Sequence, residues 1–97
     1  MTFDQLKQKI ENLDPKKAGD WKELADALVT PCDNQQVSKD YSDACKQLRA
    51  NYNRPQRRVA LLKAVLYAAY KDTSNKELAD LLNGFAKKAG INYQHKK

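Results

Sequence analysis

The chain has 97 residues, of which 41% are hydrophobic and 31% are charged, and its formal net charge is +6. A chain of this length forms one domain with a modest core, and its ordinary apolar fraction argues against disorder. Only three glycines and three prolines are present, which argues against an all-β fold with many tight turns. We therefore expect one all-α domain over residues 1–91, followed by a basic tail over residues 92–97 that frays.

Two helices are predicted in the first third of the chain, because apolar residues recur there at helical spacing beside capping signals. Thr2 and Gln5 form a capping box for a helix over Phe3–Leu13. Asp20 is the predicted N-cap of a second helix over Trp21–Val29, whose apolar residues follow the i, i+3, i+4, i+7 pattern. We expect the tryptophan at the start of this second helix to anchor the core.

A polar helix and an apolar helix follow, joined by a very short link. The polar helix is predicted over Asn34–Tyr52 with Asp33 as its N-cap, and its composition indicates a position on the outside of the fold. The apolar helix is predicted over Arg54–Lys71, with Asn53 as its N-cap and Gln56 as the capping partner. The short link predicts a tight hairpin or a sharp bend between these two helices.

The stretch Val59–Tyr70 is the most apolar part of the chain, and Lys63 is its only charged residue. Its alanines and leucines favour a helix, and apolar residues point in nearly every direction around that helix. Such a helix is stable in water only when its neighbours cover most of its surface. We therefore expect the helix over residues 54–71 to be the central element of a compact all-α bundle.

The last helix is predicted over Asn75–Ala89, where Ser74 begins the clearest capping box of the chain. Gly84 weakens the middle of this helix and is interpreted as a point of close packing against another helix. Gly90 and Ile91 predict a Schellman motif at its end. These signals complete a bundle of about five helices joined by short links.

The basic residues are concentrated in one segment. The window from Ala44 to Lys71 contains no Asp or Glu but holds seven of the 18 basic residues, a local charge of +7. The rest of the chain has 11 basic and 12 acidic residues, so this window accounts for the whole basic excess. All four arginines lie between Arg49 and Arg58. Because the guanidinium group binds phosphate and carboxylate through a planar fork, this cluster indicates an anionic partner.

The predicted site is named here the arginine corner, and its residues are Arg49, Tyr52, Arg54, Arg57 and Arg58. Three of these arginines fall in the predicted first turn of the apolar helix, where the helix dipole disfavours cations by a few tenths to ~1 kcal/mol each. A bound phosphate or carboxylate cluster would make this position favourable for the arginines. Two other interpretations stay open: a solvated corner without a ligand, and an acid elsewhere in the chain that pairs with these arginines.

The arginine corner supports two classes of function. In the first, a small non-enzymatic adaptor, inhibitor or regulator docks the corner onto an acidic protein surface, since Arg and Tyr are frequent hot-spot residues. In the second, the arginines contact the phosphates of a nucleic acid and the lysines add non-specific contacts. The first class is favoured because the basic residues do not form a long stripe. No helix combines a basic face with exposed bulky apolar residues, which argues against a membrane-surface role, and the oligomeric state is left open.

Catalysis, cofactors and metals have little support in the sequence, so we expect neither an enzyme nor a cofactor. His95, the only histidine, lies in the tail, and no Gly-rich phosphate loop is present. Cys32, Cys45 and one histidine do not fill a zinc shell, and the sequence does not decide whether the two cysteines form a disulfide. With no signal peptide and no apolar run long enough to cross a bilayer, we expect a cytoplasmic protein.

Overall fold

The computed structural model describes residues 2–29, 38–71 and 76–93, and these ranges contain five α-helices and no strand. The helices are α1 (Phe3–Glu11), α2 (Ala18–Val29), α3 (Lys39–Ala50), α4 (Pro55–Lys71) and α5 (Lys76–Lys88). The all-α bundle of five helices that the sequence predicts is confirmed. Predictions that rest on Cys32, Asp33, Ser74 and His95 lie outside the described residues.

The helices pack in the order α2, α3, α4, α5 and α1, so α4 lies between α3 and α5. All five helices contribute to one core. Its largest fully buried side chains are Leu6, Ile10, Trp21, Leu24, Tyr41, Cys45, Leu48, Leu62, Val65, Leu66, Leu78 and Leu82. Burial of these side chains supplies the main stabilising term of the fold.

One face of α4 is exposed, although the sequence predicts that neighbours cover most of this helix. Its buried residues are Leu62, Val65, Leu66, Ala68 and Ala69. Its exposed face is named here the α4 outer face, and its residues are Arg57, Ala60, Ala64, Tyr67 and Lys71, spaced i, i+3, i+7, i+10 and i+14. Alanine and tyrosine count as apolar in a pattern, but a methyl group is small and a phenol ends in a hydroxyl, so both tolerate exposure.

The starts of α1 and α3 differ in how well local signals predict them. The capping box of α1 is confirmed, since the Gln5 N–H donates to Thr2 Oγ1 at 3.3 Å and the Thr2 N–H donates to Gln5 Oε1 at 3.0 Å. The predicted start of the polar helix at Asn34 lies outside the described residues, but the prediction is wrong at Ser38, because α3 begins at Lys39. Ser38 has extended backbone and its Oγ accepts from the Tyr41 N–H at 3.1 Å, which caps α3 there.

The loop before α2 is held by hydrogen bonds that change the predicted start of that helix. Asp20 is not its N-cap, because α2 begins at Ala18 and the Asp20 Oδ2 atom instead accepts from the Asp14 N–H at 2.7 Å. The Trp21 indole N–H donates to the Pro15 carbonyl at 2.7 Å. The Trp21 ring is buried and meets Phe85 edge to face, with 5.2 Å between centroids. Trp21 is therefore the core anchor that the sequence predicts.

The end of α5 follows the predicted Schellman motif. Gly90 has a φ angle of +77°, which favours glycine. The Ile91 N–H donates to the Ala86 carbonyl at 2.9 Å, the Gly90 N–H donates to the Lys87 carbonyl at 3.1 Å, and Ile91 is buried. Tyr93, which the sequence assigns to the tail, packs against the core.

The interpretation of Gly84 as a point of close helix packing is wrong. Gly84 is exposed within α5, and a Cβ atom built there would meet no atom within 4 Å. A glycine in a helix interior costs about 0.5–1 kcal/mol relative to alanine. Neither packing nor backbone geometry requires this cost at Gly84.

Candidate functional site

The arginine corner forms where α3 ends and α4 begins, and a short hydrogen-bonded turn joins the two helices. The Arg54 N–H donates to the Asn51 carbonyl at 3.0 Å, and the Asn51 N–H donates to the Leu48 carbonyl at 3.1 Å. The Asn51 side-chain amide also donates to the Gln47 carbonyl at 2.8 Å. Since α3 packs closely against α4, the predicted hairpin is present and the turn has a defined conformation.

Arg49 is engaged within the protein. Its Nε atom lies 2.7 Å from Asp26 Oδ1, so an ion pair joins the last turn of α3 to α2. The two side chains are 58% and 39% exposed, which limits the value of such a pair to about 0.2–1 kcal/mol. An acid elsewhere in the chain therefore pairs with one arginine of the corner, as one of the open interpretations of the sequence allowed.

Arg58 is also engaged within the protein. Its guanidinium carbon lies 4.8 Å from the centroid of the Trp21 ring, and its Nη1 group donates to the Tyr52 carbonyl at 3.4 Å. A cation over an indole ring contributes about 0.5–2 kcal/mol, depending on how far the pair is desolvated. Arg58 is half-buried and ties the first turn of α4 to α2 and to the α3–α4 turn, which is a structural role.

Arg54 and Arg57 are exposed, and neither side chain has a hydrogen bond or an ion pair to any described residue. Arg49 is also exposed, but it has the partner Asp26. The structure thus divides the four predicted arginines into two that have partners within the protein and two that have none among the described residues.

The first turn of α4 has no side-chain cap among the described residues, and the prediction of Asn53 as N-cap is wrong. The Arg54 carbonyl accepts from the Arg58 N–H at 2.8 Å, so Arg54 occupies the N-cap position. An arginine side chain contains no acceptor and cannot cap a helix. Within the described residues, the N–H groups of Gln56 and Arg57 find no protein acceptor. Positive dipole, open N–H groups and two guanidinium groups therefore coincide here.

Tyr52 contributes less to the exposed surface than the sequence predicts. Its side chain is half-buried and packs against the core, and its carbonyl accepts from Arg58. The α4 outer face supplies an aromatic group that the sequence analysis did not select. Tyr67 is 56% exposed and is the exposed large hydrophobic residue among those described. The heptad-like spacing from Arg57 to Lys71 was the signal that could have revealed it.

The two ends of the α4 outer face differ in charge. No acid is present on α4, and Arg54 and Arg57 flank its beginning. At the other end, Tyr67 and Lys71 border a small open cavity of about 240 Å³, whose lining also includes Asp40. The nearby carboxylate moderates the positive charge of Lys71. The beginning of α4 is therefore the more strongly basic end.

The last turn of α4 is held against α5 by a tyrosine network. The Tyr70 hydroxyl donates to Asp80 Oδ1 at 3.1 Å and accepts from the Asn83 side-chain amide at 3.2 Å. Tyr93 stacks on Tyr70 with 6.1 Å between centroids. Burial raises the pKa of Tyr70, with a further contribution from Asp80, and burial also raises the pKa of Tyr93, aided by Tyr67. These contacts orient the outer face of α4.

The buried thiol of Cys45 is not suited to nucleophilic chemistry. Cys45 is not in a disulfide, and burial raises its pKa to about 12, although a hydrogen bond with Tyr41 acts in the opposite direction. A thiol with such a pKa stays protonated at neutral pH. In residues 2–29, 38–71 and 76–93 no group of three or more His, Cys, Asp or Glu residues could hold a metal ion.

None of the described helices is both long and apolar enough to cross a bilayer. We found no family model that matches this chain, and no significantly similar protein among curated sequences or solved structures.

Proposed function

We propose that this protein is a small non-enzymatic binding protein that docks onto an acidic protein surface through Arg54 and Arg57. The observation that carries the proposal is the contrast within the arginine corner. Arg49 pairs with Asp26 and Arg58 lies over Trp21, whereas Arg54 and Arg57 are exposed and have no side-chain partner among the described residues. Two cations at an uncapped helix N-terminus are unfavourable alone and favourable beside an anion.

Carboxylate groups of a partner would complete this arrangement in two ways. Each guanidinium group can donate two parallel hydrogen bonds to one carboxylate, and this bidentate pair is stronger and more directional than a lysine contact. The open N–H groups of Gln56 and Arg57 can donate to the same carboxylates. The α3–α4 turn holds both arginines on a defined backbone, which limits the entropy lost on binding.

The α4 outer face extends this docking surface beyond the corner. Ala60 and Ala64 leave a flat strip in its middle, and Tyr67 offers an aromatic anchor about 15 Å from Arg57 along the helix. Lys63 is exposed nearby, so the whole strip carries positive charge and no acid of its own helix. A partner with an acidic rim around an apolar patch would match it.

Nucleic acid is the second candidate partner, and the absence of acids on α4 is the observation that favours it. Phosphates would then contact Arg54 and Arg57, and a base could stack on Tyr67. Binding through a few phosphate contacts weakens steeply and linearly on a log–log plot against salt. In either case we propose a cytoplasmic location, which is supported by the unpaired Cys45 thiol.

The test compares Arg54→Glu/Arg57→Glu with a charge-matched control, Lys16→Glu/Lys17→Glu, whose lysines are exposed in the loop before α2. Proteins captured by each immobilised variant from lysate of the source cell, with and without nuclease, are compared with those captured by the wild type. We expect the arginine variant alone to lose nuclease-resistant partners, at a melting temperature no lower than that of the wild type because acids suit a helix N-terminus. Equal capture by both variants would contradict the proposal.

A parallel titration with mixed DNA and RNA fragments at low salt separates the two candidates. If the wild type binds these fragments with a steep salt dependence, and nuclease removes the captured proteins, the nucleic-acid candidate replaces the protein partner. If fragment binding is undetectable while capture depends on Arg54 and Arg57, the protein partner is supported.

A further inference from the structure

A groove of about 580 Å³ runs between α1 and α5, away from the residues of the arginine corner. Its floor is formed by the buried side chains of Ile10 and Phe85, and its walls include Phe3 and Leu81, which are half-buried. An open apolar cleft between two helices has the form of a helix-binding groove. Ile10 and Phe85 are only 1% and 2% exposed, so the accessible apolar side chains of the groove are those of Phe3 and Leu81.

The rim of this groove is acidic in a protein that is basic overall. Asp4 and Glu11 line it from α1, and Glu77 and Asp80 line it from α5. Among the described lining residues the cations are Lys7 and Lys88, and the Lys88 ammonium already donates to the Glu11 carbonyl at 3.0 Å. Four carboxylates against two ammonium groups favour a basic occupant.

Gly84 keeps one side of the groove open. It lies in the lining, it is exposed, and a Cβ atom there would meet nothing within 4 Å. A helical glycine that no internal packing requires makes the helix less stable than alanine would at the same position. The missing side chain leaves room for a large group from outside, such as an aromatic ring.

We propose that a second copy of this chain occupies the groove with its α4 outer face. This inference rests on the proposed function, because it identifies the acidic surface that Arg54 and Arg57 meet. The two surfaces are complementary: one is an apolar cleft with an acidic rim, and the other is a helix face with basic ends, two alanines and an exposed tyrosine. Tyr67 of the second copy enters beside Gly84, and its arginines pair with rim carboxylates.

The dimensions of the two surfaces agree. From Glu77 to Lys88, α5 borders the groove over about 16 Å, and the part of the α4 outer face from Arg57 to Tyr67 extends about 15 Å. A contact between two different surfaces of the same chain is heterologous, so it leaves one groove and one α4 outer face unused in each dimer. Self-association should therefore continue beyond the dimer as the concentration rises.

The first experiment measures wild-type self-association by sedimentation over a wide range of protein concentration at low salt. Gly84→Leu fills the groove without an internal clash and should weaken self-association by about tenfold or more, the size of a lost hot-spot contact. Gly19→Leu is the matched control, since Gly19 is an exposed helical glycine outside the groove with the same open surroundings. Both variants should retain the wild-type helix content.

The second experiment mixes two variants that each lack one of the surfaces. Arg54→Glu/Arg57→Glu keeps its groove, and Gly84→Leu keeps its α4 outer face. Each should be monomeric alone, and the mixture should form a one-to-one dimer that goes no further. An interface that used the same surface on both copies would let one of the two variants self-associate alone. That result, or a mixture that stays monomeric, would overturn the inference.

Failure of this inference and failure of the proposed function give different results. A wild type that stays monomeric, together with loss of capture by Arg54→Glu/Arg57→Glu, rejects the second copy as partner and leaves the proposed function standing. Self-association that is unchanged in Gly84→Leu rejects the groove. Self-association and capture that are both unchanged in the arginine variant reject both proposals.

Discussion

The arginine corner and the α1–α5 groove are opposite in chemistry but alike in one respect. The corner exposes two guanidinium groups at a helix start that has no side-chain cap among the described residues, and the groove has half-buried apolar walls between carboxylates beside a helical glycine. Each arrangement is worse for the stability of the isolated chain than an ordinary alternative would be. Both proposals rest on these two local features, for which the described residues show no internal reason.

The largest effect is expected at the residue that contacts both regions. Trp21 lies under Arg58 of the corner and packs edge to face on Phe85, which forms part of the groove floor. We expect Trp21→Ala to lower the free energy of unfolding by about 3–5 kcal/mol, measured by urea denaturation with circular dichroism. Trp21→Phe should cost less. A loss below 1 kcal/mol for the alanine variant would show that Trp21 does not couple the arginine corner to the groove.

Alkaline pH should weaken the core while the corner keeps its charge. The folded state holds the Cys45 thiol protonated, with a pKa near 12 against an ordinary 9.0, so the unfolded state loses this proton first. Stability is therefore complete below pH 9 and falls above it, by about 2–3 kcal/mol at about pH 11. The Cys45→Ala variant should show a flatter decline in urea denaturation, while arginine stays protonated throughout.

Two neighbouring arginines should respond differently to the same substitution. Arg58→Ala removes the contact with Trp21 and the hydrogen bond to Tyr52, and we expect it to cost about 1–2 kcal/mol of unfolding free energy. Arg57→Ala should change stability by less than about 0.5 kcal/mol, because it removes only an exposed cation from a helix start. Equal losses from the two variants would remove the distinction between structural and exposed arginines.

A small effect of the opposite sign is expected at Gly84. Gly84→Ala should raise the free energy of unfolding by about 0.5–1 kcal/mol, since the added methyl group meets no atom and alanine is the better helix former. Thermal denaturation monitored by circular dichroism measures it, with Gly19→Ala as a second exposed helical site. A destabilised Gly84→Ala variant would mean that the glycine serves the packing of the helix.

Local signals predicted the helices well where the deciding partners are close in sequence. The capping box at Thr2 and the Schellman motif at Gly90 depend on residues three to five positions away, and both are confirmed. Ser38 was predicted to lie inside the polar helix, but it caps α3 from within a segment whose sequence has helical spacing. Any of several polar residues along such a segment can serve as the cap.

The sequence predicts that four arginines form a cluster, but it does not predict which of them have partners within the protein. The partners that engage Arg49 and Arg58 are Asp26 and Trp21, which lie more than 20 positions earlier in the chain. The packing of α3 against both α2 and α4 brings these groups together. The groove was missed for the same reason, since its two walls come from opposite ends of the sequence and Gly84 was interpreted by its local pattern alone.

Trp21 also gives the molecule an internal spectroscopic reporter. It is the only tryptophan in the chain, so all indole emission originates from one buried ring. That ring contacts Arg58 on the side of the corner and Phe85 on the side of the groove. Small shifts of α4 or α5 caused by an occupant would change its surroundings. Unlabelled protein can therefore signal occupancy of either surface through its own fluorescence.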